Sequence, residues 1–273
     1  QLWDLDKSPH ISVIGHLEPD HLNVHKDYAD YLAAKGNIAR FQSEDDYCIY
    51  YAKNLDSVGL ATLSPARKIP YPFEVPSDIL DSIVLPGRHN QENAIAAIAA
   101  VASLKNLSPD EYLQTSSAKI KLGLSNFHGL PHRLEFLREL SNVKFYDDNF
   151  STNPSSTRVA VNAFPDDNLI LILGGRDKTD YQDLPEILEI LQSPNIKHIV
   201  LLGESGHKIY QDYHDPRFIL ANSLENALNL ATERAAGYPS AIVLMSPAAA
   251  SFDMFKDVYD RGSQFKELVN KLS

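Results

Sequence analysis

The chain has 273 residues, 44% of them apolar and 22% charged, with a formal net charge of −11. That length suits two domains with separate cores, and the acidic balance leaves no basic footprint for nucleic acid or an anionic membrane, though a local Lys/Arg cluster can still hold phosphate. The single cysteine, Cys48, excludes an internal disulfide and a cysteine-based structural zinc, and suits a reducing cytoplasm. No apolar run reaches membrane-span length and the first residues carry no signal-peptide pattern. With Gln at position 1 and no initiator Met, the chain is expected to begin partway through a longer protein.

In chain order, Ile11 to Gly15 is a β-branched run ending at glycine and predicts a buried strand. Lys26 to Phe41 predicts a helix and Tyr47 to Ala52 a strand. Leu63 to Ser77 holds Pro65, Pro70, Pro72 and Pro76, which predicts loop or irregular edge structure. His89 to Leu104 is Ala-rich and helical. Ser108 to Ile120 opens Ser-Pro-Asp-Glu, an N-cap with proline at the first helical position and acids in the first turn. Beyond Gly129-Leu130-Pro131, strands are expected at Val143–Asp147, Leu169–Leu173, His198–Leu202, Phe218–Leu220 and Ala241–Met245. Helices are expected at Pro154–Phe164, Leu184–Gln192, Gly206–Asp212, Leu224–Ala236 and Phe255–Leu272. This alternation predicts an α/β domain with a largely parallel, doubly wound sheet, whose ligands bind at the carboxyl ends of strands.

Three polar clusters fall at such strand ends: Asp147–Asn153, Gly174–Lys178 and Ser246–Ser251. In Gly174-Gly175-Arg176-Asp177-Lys178, glycines permit close backbone approach to a ligand and the cations suit carboxylate or phosphate; alone it also reads as a strand-to-helix turn. Ser246-Pro-Ala-Ala-Ala-Ser251 offers two hydroxyls before an expected helix N-terminus, an anion site or simply a helix cap. Asp147-Asp148-Asn149-Phe150-Ser151-Thr152-Asn153 could meet a cation or a ribose, or cap the next helix as an Asx turn. Asn90 and Asn93 share one helix face and read as base contacts or caps. Alone, His21 reads as a surface or packed histidine and Lys35 as a solvated helix lysine. Gly203-Glu-Ser-Gly-His-Lys208 lacks phosphate-loop spacing and is counted as a turn.

Taken together and in order, these segments resemble the Mur ligases: Gln1-Leu2, Pro19-Asp20-His21-Leu22, Ala33-Ala34-Lys35, Leu85 to Asn93, Gly129 to Glu135, Thr152-Asn153-Pro154, Gly174 to Lys178 and Ser246 to Ser251. Leu-Pro-His-Arg with Gly-Gly-x-x-Lys and Ser-Pro-x-x-x-Ser looks like the D-glutamate-adding branch. The resemblance covers the whole chain. It implies that residues 1–128 are a partial central ATPase-type α/β domain without its phosphate loop, which would lie upstream. Residues 129–273 would be the C-terminal, Rossmann-like domain with amino-acid and ATP contacts.

The implied activity is ATP- and Mg²⁺-dependent joining of D-glutamate to UDP-N-acetylmuramoyl-L-alanine through an acyl phosphate, in peptidoglycan precursor synthesis, by a cytoplasmic monomer with no nucleic-acid or membrane partner. By resemblance His21 is the metal-associated histidine and Lys35 the lysine that becomes carbamylated, turning a cation into an oxygen anion beside Mg²⁺. Asn90, Arg133 and Asp148 match ATP contacts. Thr152, Lys178 and Ser251 match D-glutamate contacts. One departure stands out: the family usually reads Asn-Asp-Ser-Lys-Ala-Thr-Asn at the first strand end, and here Phe150 replaces the lysine. A Mur-type ligase with another amino acid or acceptor, and a ligand-binding fragment inactive alone, are the alternatives.

Overall fold

The computed structural model describes residues 2–19 and 24–273, which divide into two units, Gln1–Val84 with Arg88–Phe127, and Leu85–Gly87 with His128–Ser273. In the first unit the elements are β1 (Ile11–Ile14), α1 (Tyr28–Arg40), β2 (Tyr47–Tyr51), α2 (Leu55–Ala61), β3 (Arg67–Tyr71), α3 (Ser77–Leu80), α4 (Arg88–Leu104) and α5 (Pro109–Ser125). The strands form a parallel sheet in the order β1-β2-β3. Side chains alternate across a strand, so neighbouring residues of β2 serve different cores. Cys48 packs with Ala39 and Leu60 from α1 and α2, whereas Ile49 packs with Ile95 and Ala99 from α4.

The proline-rich stretch expected to be loop or irregular edge structure contains β3, at the end of the sheet order. The strand tolerates Pro70 because it pairs only with β2 among the described residues and leaves Pro70 exposed, so the missing N–H interrupts nothing. A cis peptide bond joins Tyr71 to Pro72. The Ser108 signal is realised as a capping box: the Glu111 N–H donates to Ser108 Oγ at 3.2 Å and the Ser108 N–H to Glu111 Oε2 at 2.8 Å.

The second unit runs β4 (Glu135–Leu140), β5 (Val143–Asp147), α6 (Pro154–Val161), β6 (Leu169–Leu173), α7 (Leu184–Leu191), β7 (Ile196–Leu201), α8 (Gly203–Asp212), β8 (Phe218–Leu220), α9 (Leu224–Ala235), β9 (Ala241–Met245) and α10 (Val258–Lys271). Its sheet has the order β4-β5-β9-β6-β7-β8, parallel except for β4 on β5. Leu169, Leu171 and Leu173 of β6 face a core containing Ile187 and Ile209 of α7 and α8. Ile170 and Ile172 face the opposite core, with Leu228 of α9 and Phe265 of α10. Helices cover both faces, which explains why β6 and β9 are apolar at every position rather than at alternate ones.

Here too some expectations shift. Strand β4, unmarked in the sequence reading, has a register shift between Phe136 and Arg138 that blurs its alternation. Gly203 to Lys208, counted as a turn, opens helix α8. No helix follows Ser251 directly; α10 begins at Val258, capped by Asp257, which accepts the Asp260 N–H at 2.8 Å. Among the described residues no helix is long and apolar enough to cross a membrane.

Candidate active site

Strand β9, last in the chain, inserts between β5 and β6. That crossover puts the segment after β9 beside the segments after β5 and β6, at the carboxyl ends of three adjacent parallel strands. Backbone bonds then tie the three together. The Asp148 N–H donates to the Met245 carbonyl at 2.9 Å and the Ala248 N–H to Ser151 at 2.9 Å; the Gly174 N–H donates to Pro247 at 2.9 Å. Arg176 and Ala250 form an isolated antiparallel bridge.

Gly174 and Gly175 adopt φ of 121° and 150°, conformations open essentially to glycine. A Cβ on Gly174 would overlap the Leu202 carbonyl, and one on Gly175 the Ala250 carbonyl. The glycines therefore make room for the protein's own backbone, rather than for the close approach to a ligand that was one of the two readings of this segment. Nor do Ser246 and Ser251 sit at a helix N-terminus. Ser246 turns inward, its hydroxyl donating to Asp148 Oδ2 at 2.8 Å. Ser251 is only 2% exposed and its hydroxyl has no hydrogen-bond partner among the described residues.

Asp147, Asp148 and Asn149 are all buried. His132 Nδ1 lies 2.6 Å from Asp147 Oδ2, while Asp147 Oδ1 accepts the Asn149 N–H at 3.0 Å and side-chain amide at 2.5 Å. Asp148 Oδ1 accepts the Leu134 N–H at 3.1 Å. Burial pushes the Asp148 carboxyl up to about 6, against the pull of its bonds from Ser151, Ser246 and Leu134. Burial likewise raises Asp147, opposed by Asn149 and His132.

These carboxylates hold the turn that carries Arg133. His132 and Leu134, on either side of it, have φ of 63° and 48°, a costly backbone for non-glycine residues. The turn is over-determined: the His132 N–H donates to Glu135 Oε2 at 2.9 Å, the Phe150 N–H donates to the His132 carbonyl at 3.2 Å, and Asp147 and Asp148 grip the flanking residues as above. Arg133 itself is exposed, its guanidinium 5.2 Å from the centre of the Phe150 ring. His132, Glu135 and Asp147 have metal-ligand spacing. They do not fit a cation site, because Lys266 Nζ occupies both Glu135 oxygens at 2.8 and 3.0 Å and Asp147 is engaged by His132 and Asn149.

Lys178 and Thr152 come together across two of the segments, Nζ donating to Oγ1 at 3.3 Å, with Lys178 exposed. Asn153 behaves as the Asx cap weighed for it, accepting the Ser156 N–H at 3.0 Å at the start of α6. Asp177 accepts the Thr179 and Tyr181 N–H groups at 3.0 and 2.9 Å and so shapes the approach to α7.

In the first unit, Lys35 is half-buried on α1 with Nζ 5.3 Å from the Tyr31 ring centre, and Asn90 is half-buried in the first turn of α4. Two residues on, Glu92 accepts hydrogen bonds from Tyr51 Oη at 2.9 Å and Lys53 Nζ at 2.8 Å. His21 lies outside the described residues.

Sequence reasoning missed Arg261. Its side chain, 1% exposed, donates through Nε to Asn149 Oδ1 at 2.7 Å and through Nη2 to the Asn149 carbonyl at 3.0 Å; Nη1 reaches the Ala249 and Ala250 carbonyls at 3.2 and 3.3 Å. Burial pulls its guanidinium down to about 10, despite Asp253 and Asp147 nearby. A helix arginine alone reads as solvated. The available signal was Gly262 beside it, since an interior helix glycine is unfavourable by about 1 kcal/mol relative to alanine. Its missing Cβ makes room for the His132 imidazole.

Residues 132–249 match the family described as "Mur ligase, glutamate ligase domain", and residues 1–80 match "Mur ligase middle domain". Over its full length the chain is 30% identical to a UDP-N-acetylmuramoylalanine--D-glutamate ligase of Clostridium tetani, covering 62% of that protein. Over 97% of its length it is 34% identical to the enzyme of that name from Streptococcus thermophilus, covering 60% of it. The chain thus spans under two thirds of these relatives. Among solved structures, MurF ligase from Thermotoga maritima in complex with ADP superposes with a TM-score of 0.66 over 97% of this chain and 63% of its own, at 13% identity, a likeness of fold.

Proposed function

The chain belongs to the Mur ligase family, and from that premise we propose that it is part of an ATP-dependent ligase that joins D-glutamate to UDP-N-acetylmuramoyl-L-alanine through an acyl phosphate. The observation that carries this reading is the rim of the second unit, where Lys178 and Thr152 meet at 3.3 Å and the buried Ser251 hydroxyl has no partner among the described residues. An ammonium and two hydroxyls on three converging segments form a donor set for a carboxylate. D-Glutamate brings one beyond the carboxylate on the carbon that bears its reacting amine. Thr152, Lys178 and Ser251 are assigned to hold it, so that the amine is presented to the activated carbonyl.

Arg133 offers a planar, multi-donor group to phosphate oxygens, and Asp147 and Asp148 fix its turn. Asn90, Arg133 and Asp148 are assigned to ATP. Asp148, with both oxygens engaged inside the protein, acts by holding the Leu134 and Ser246 positions. Mg²⁺ would neutralise charge on the phosphates, with Lys35, as its carbamate, and His21 as the groups that hold it. Cytoplasmic localisation and a role in peptidoglycan precursor synthesis go with this reading.

Phe150 raises a second reading, a ligase for another amino acid. Its ring packs under Arg133 and against His132 and Tyr259. The replacement therefore acts at the guanidinium rather than at the Lys178–Thr152 pair, which favours keeping D-glutamate. The test is phosphate release from ATP by a full-length protein carrying this chain, with UDP-N-acetylmuramoyl-L-alanine and a panel of amino acids. Release with D-glutamate supports the assignment; release only with another amino acid overturns it in favour of the second reading.

A further inference from the structure

We propose that Phe150 is a positioning residue for Arg133, replacing a mobile cation at this strand end with an aromatic floor that fixes a neighbouring one. This rests on the reading of Arg133 as a phosphate contact. The guanidinium lies 5.2 Å from the Phe150 ring centre, inside the range at which a ring face attracts a cation. The ring itself has a set orientation. Tyr259 packs edge-on at 5.2 Å between centroids with an interplanar angle of 85°, and His132 at 5.7 Å and 66°.

The backbone beneath it is equally constrained. The Phe150 N–H donates to the His132 carbonyl at 3.2 Å, and the Thr152 N–H donates to the Phe150 carbonyl at 2.9 Å. The preceding residue, Asn149, is clamped by Arg261 through both its side-chain and backbone oxygens. Phe150 is thus a rigid surface on a rigid segment. Arg133 is a long, exposed side chain on an equally rigid turn, with its last dihedrals as its main freedom. A face that holds those dihedrals lowers the ordering cost when the guanidinium meets phosphate oxygens. A lysine at position 150 would give no such face and would repel the guanidinium. The structure therefore assigns the replacement to pre-organisation of Arg133, not to amino-acid choice.

The test is calorimetric ADP binding by the full-length protein at fixed ionic strength, for Phe150→Leu and Phe150→Trp, each in wild-type and Arg133→Ala backgrounds, with thermal unfolding of every variant. Phe150→Leu is expected to raise the ADP Kd about two- to fivefold. Phe150→Trp should bind like wild type. In the Arg133→Ala background Phe150→Leu should add nothing, and the KM for D-glutamate should not move. If leucine loosens the fold, Phe150→Met and Phe150→Tyr pose the same contrast of ring face lost and kept. Equal weakening by Phe150→Leu in both backgrounds, or none in either, would overturn the positioning role while leaving the ligase reading intact. Failure of the wild-type protein to bind ADP at all would overturn the ligase reading and this role with it.

Discussion

Arg261 and Asn149 are joined by two hydrogen bonds, from Nε to the side-chain oxygen at 2.7 Å and from Nη2 to the backbone carbonyl at 3.0 Å. The same guanidinium reaches the Ala249 and Ala250 carbonyls, so one buried side chain from α10 holds the segments after β5 and β9 in register. Arg261→Met would leave three buried oxygens without a donor, while the Ala250 carbonyl keeps the Arg176 N–H. The expected cost is at least about 3 kcal/mol, since each stranded buried acceptor costs on the order of 1–3 kcal/mol. Urea unfolding followed by circular dichroism measures it; a loss under about 1 kcal/mol would mean that water replaces the guanidinium without penalty.

Gly175→Ala tests the other joint in the rim. At φ of 150°, with the Ala250 carbonyl where a Cβ would go, alanine has neither the conformation nor the space. A destabilisation of several kcal/mol, on the order of other strained or overpacked core changes, is expected. Soluble yield and the unfolding midpoint report it. Near-wild-type stability would mean that the glycine serves some other purpose, such as the ligand approach first considered.

How much of this was readable beforehand depended on whether the signal was local. The apolar runs at Leu169–Leu173 and Ala241–Met245 are long and uninterrupted, and their strands fall at those residues. That the three polar clusters share one rim followed from the rule that parallel strands end on one side of a sheet. The insertion of β9 between β5 and β6, which makes the clusters neighbours, is a long-range choice that no window of residues encodes. For the same reason Gly174 and Gly175 were read for a ligand when their partners lie at Leu202 and Ala250. Arg261 and Asn149 are 112 positions apart. Strand β3 was obscured by Pro70, whose tolerance depends on its edge position.

Asp148 carries a pH dependence of known sign. Burial raises its carboxyl to about 6, against about 4 for a free aspartate. Between those values the folded chain keeps a proton that the unfolded chain has released, so stability falls as pH rises from about 4 to 6, and above that the full penalty, about 3 kcal/mol, is present. Asp148→Asn can still accept the Leu134 N–H and has no charge to bury. Urea unfolding at pH 4 and pH 7 should therefore show the variant gaining on wild type by up to about 3 kcal/mol across that interval. A difference that does not change with pH would mean that the carboxylate is better solvated or better paired than its surroundings indicate.

Arg133→Ala in the full-length protein removes the guanidinium while leaving the anchored turn in place. Loss of charge-assisted bonds to phosphate predicts an ADP Kd raised about tenfold or more, with little change in the unfolding midpoint. An unchanged Kd would remove Arg133 from the nucleotide site.

The assignment of the rim to D-glutamate is most directly tested by amide formation, followed by mass spectrometry, in the full-length protein with ATP, Mg²⁺, UDP-N-acetylmuramoyl-L-alanine and D-glutamate. Wild type and Lys178→Ala are compared over a range of D-glutamate concentrations. The expected result is product with wild type and, in Lys178→Ala, a KM for D-glutamate raised about tenfold or more at an unchanged KM for ATP. No D-glutamate-dependent product from the wild-type protein, or a Lys178→Ala enzyme with the wild-type KM, would contradict it.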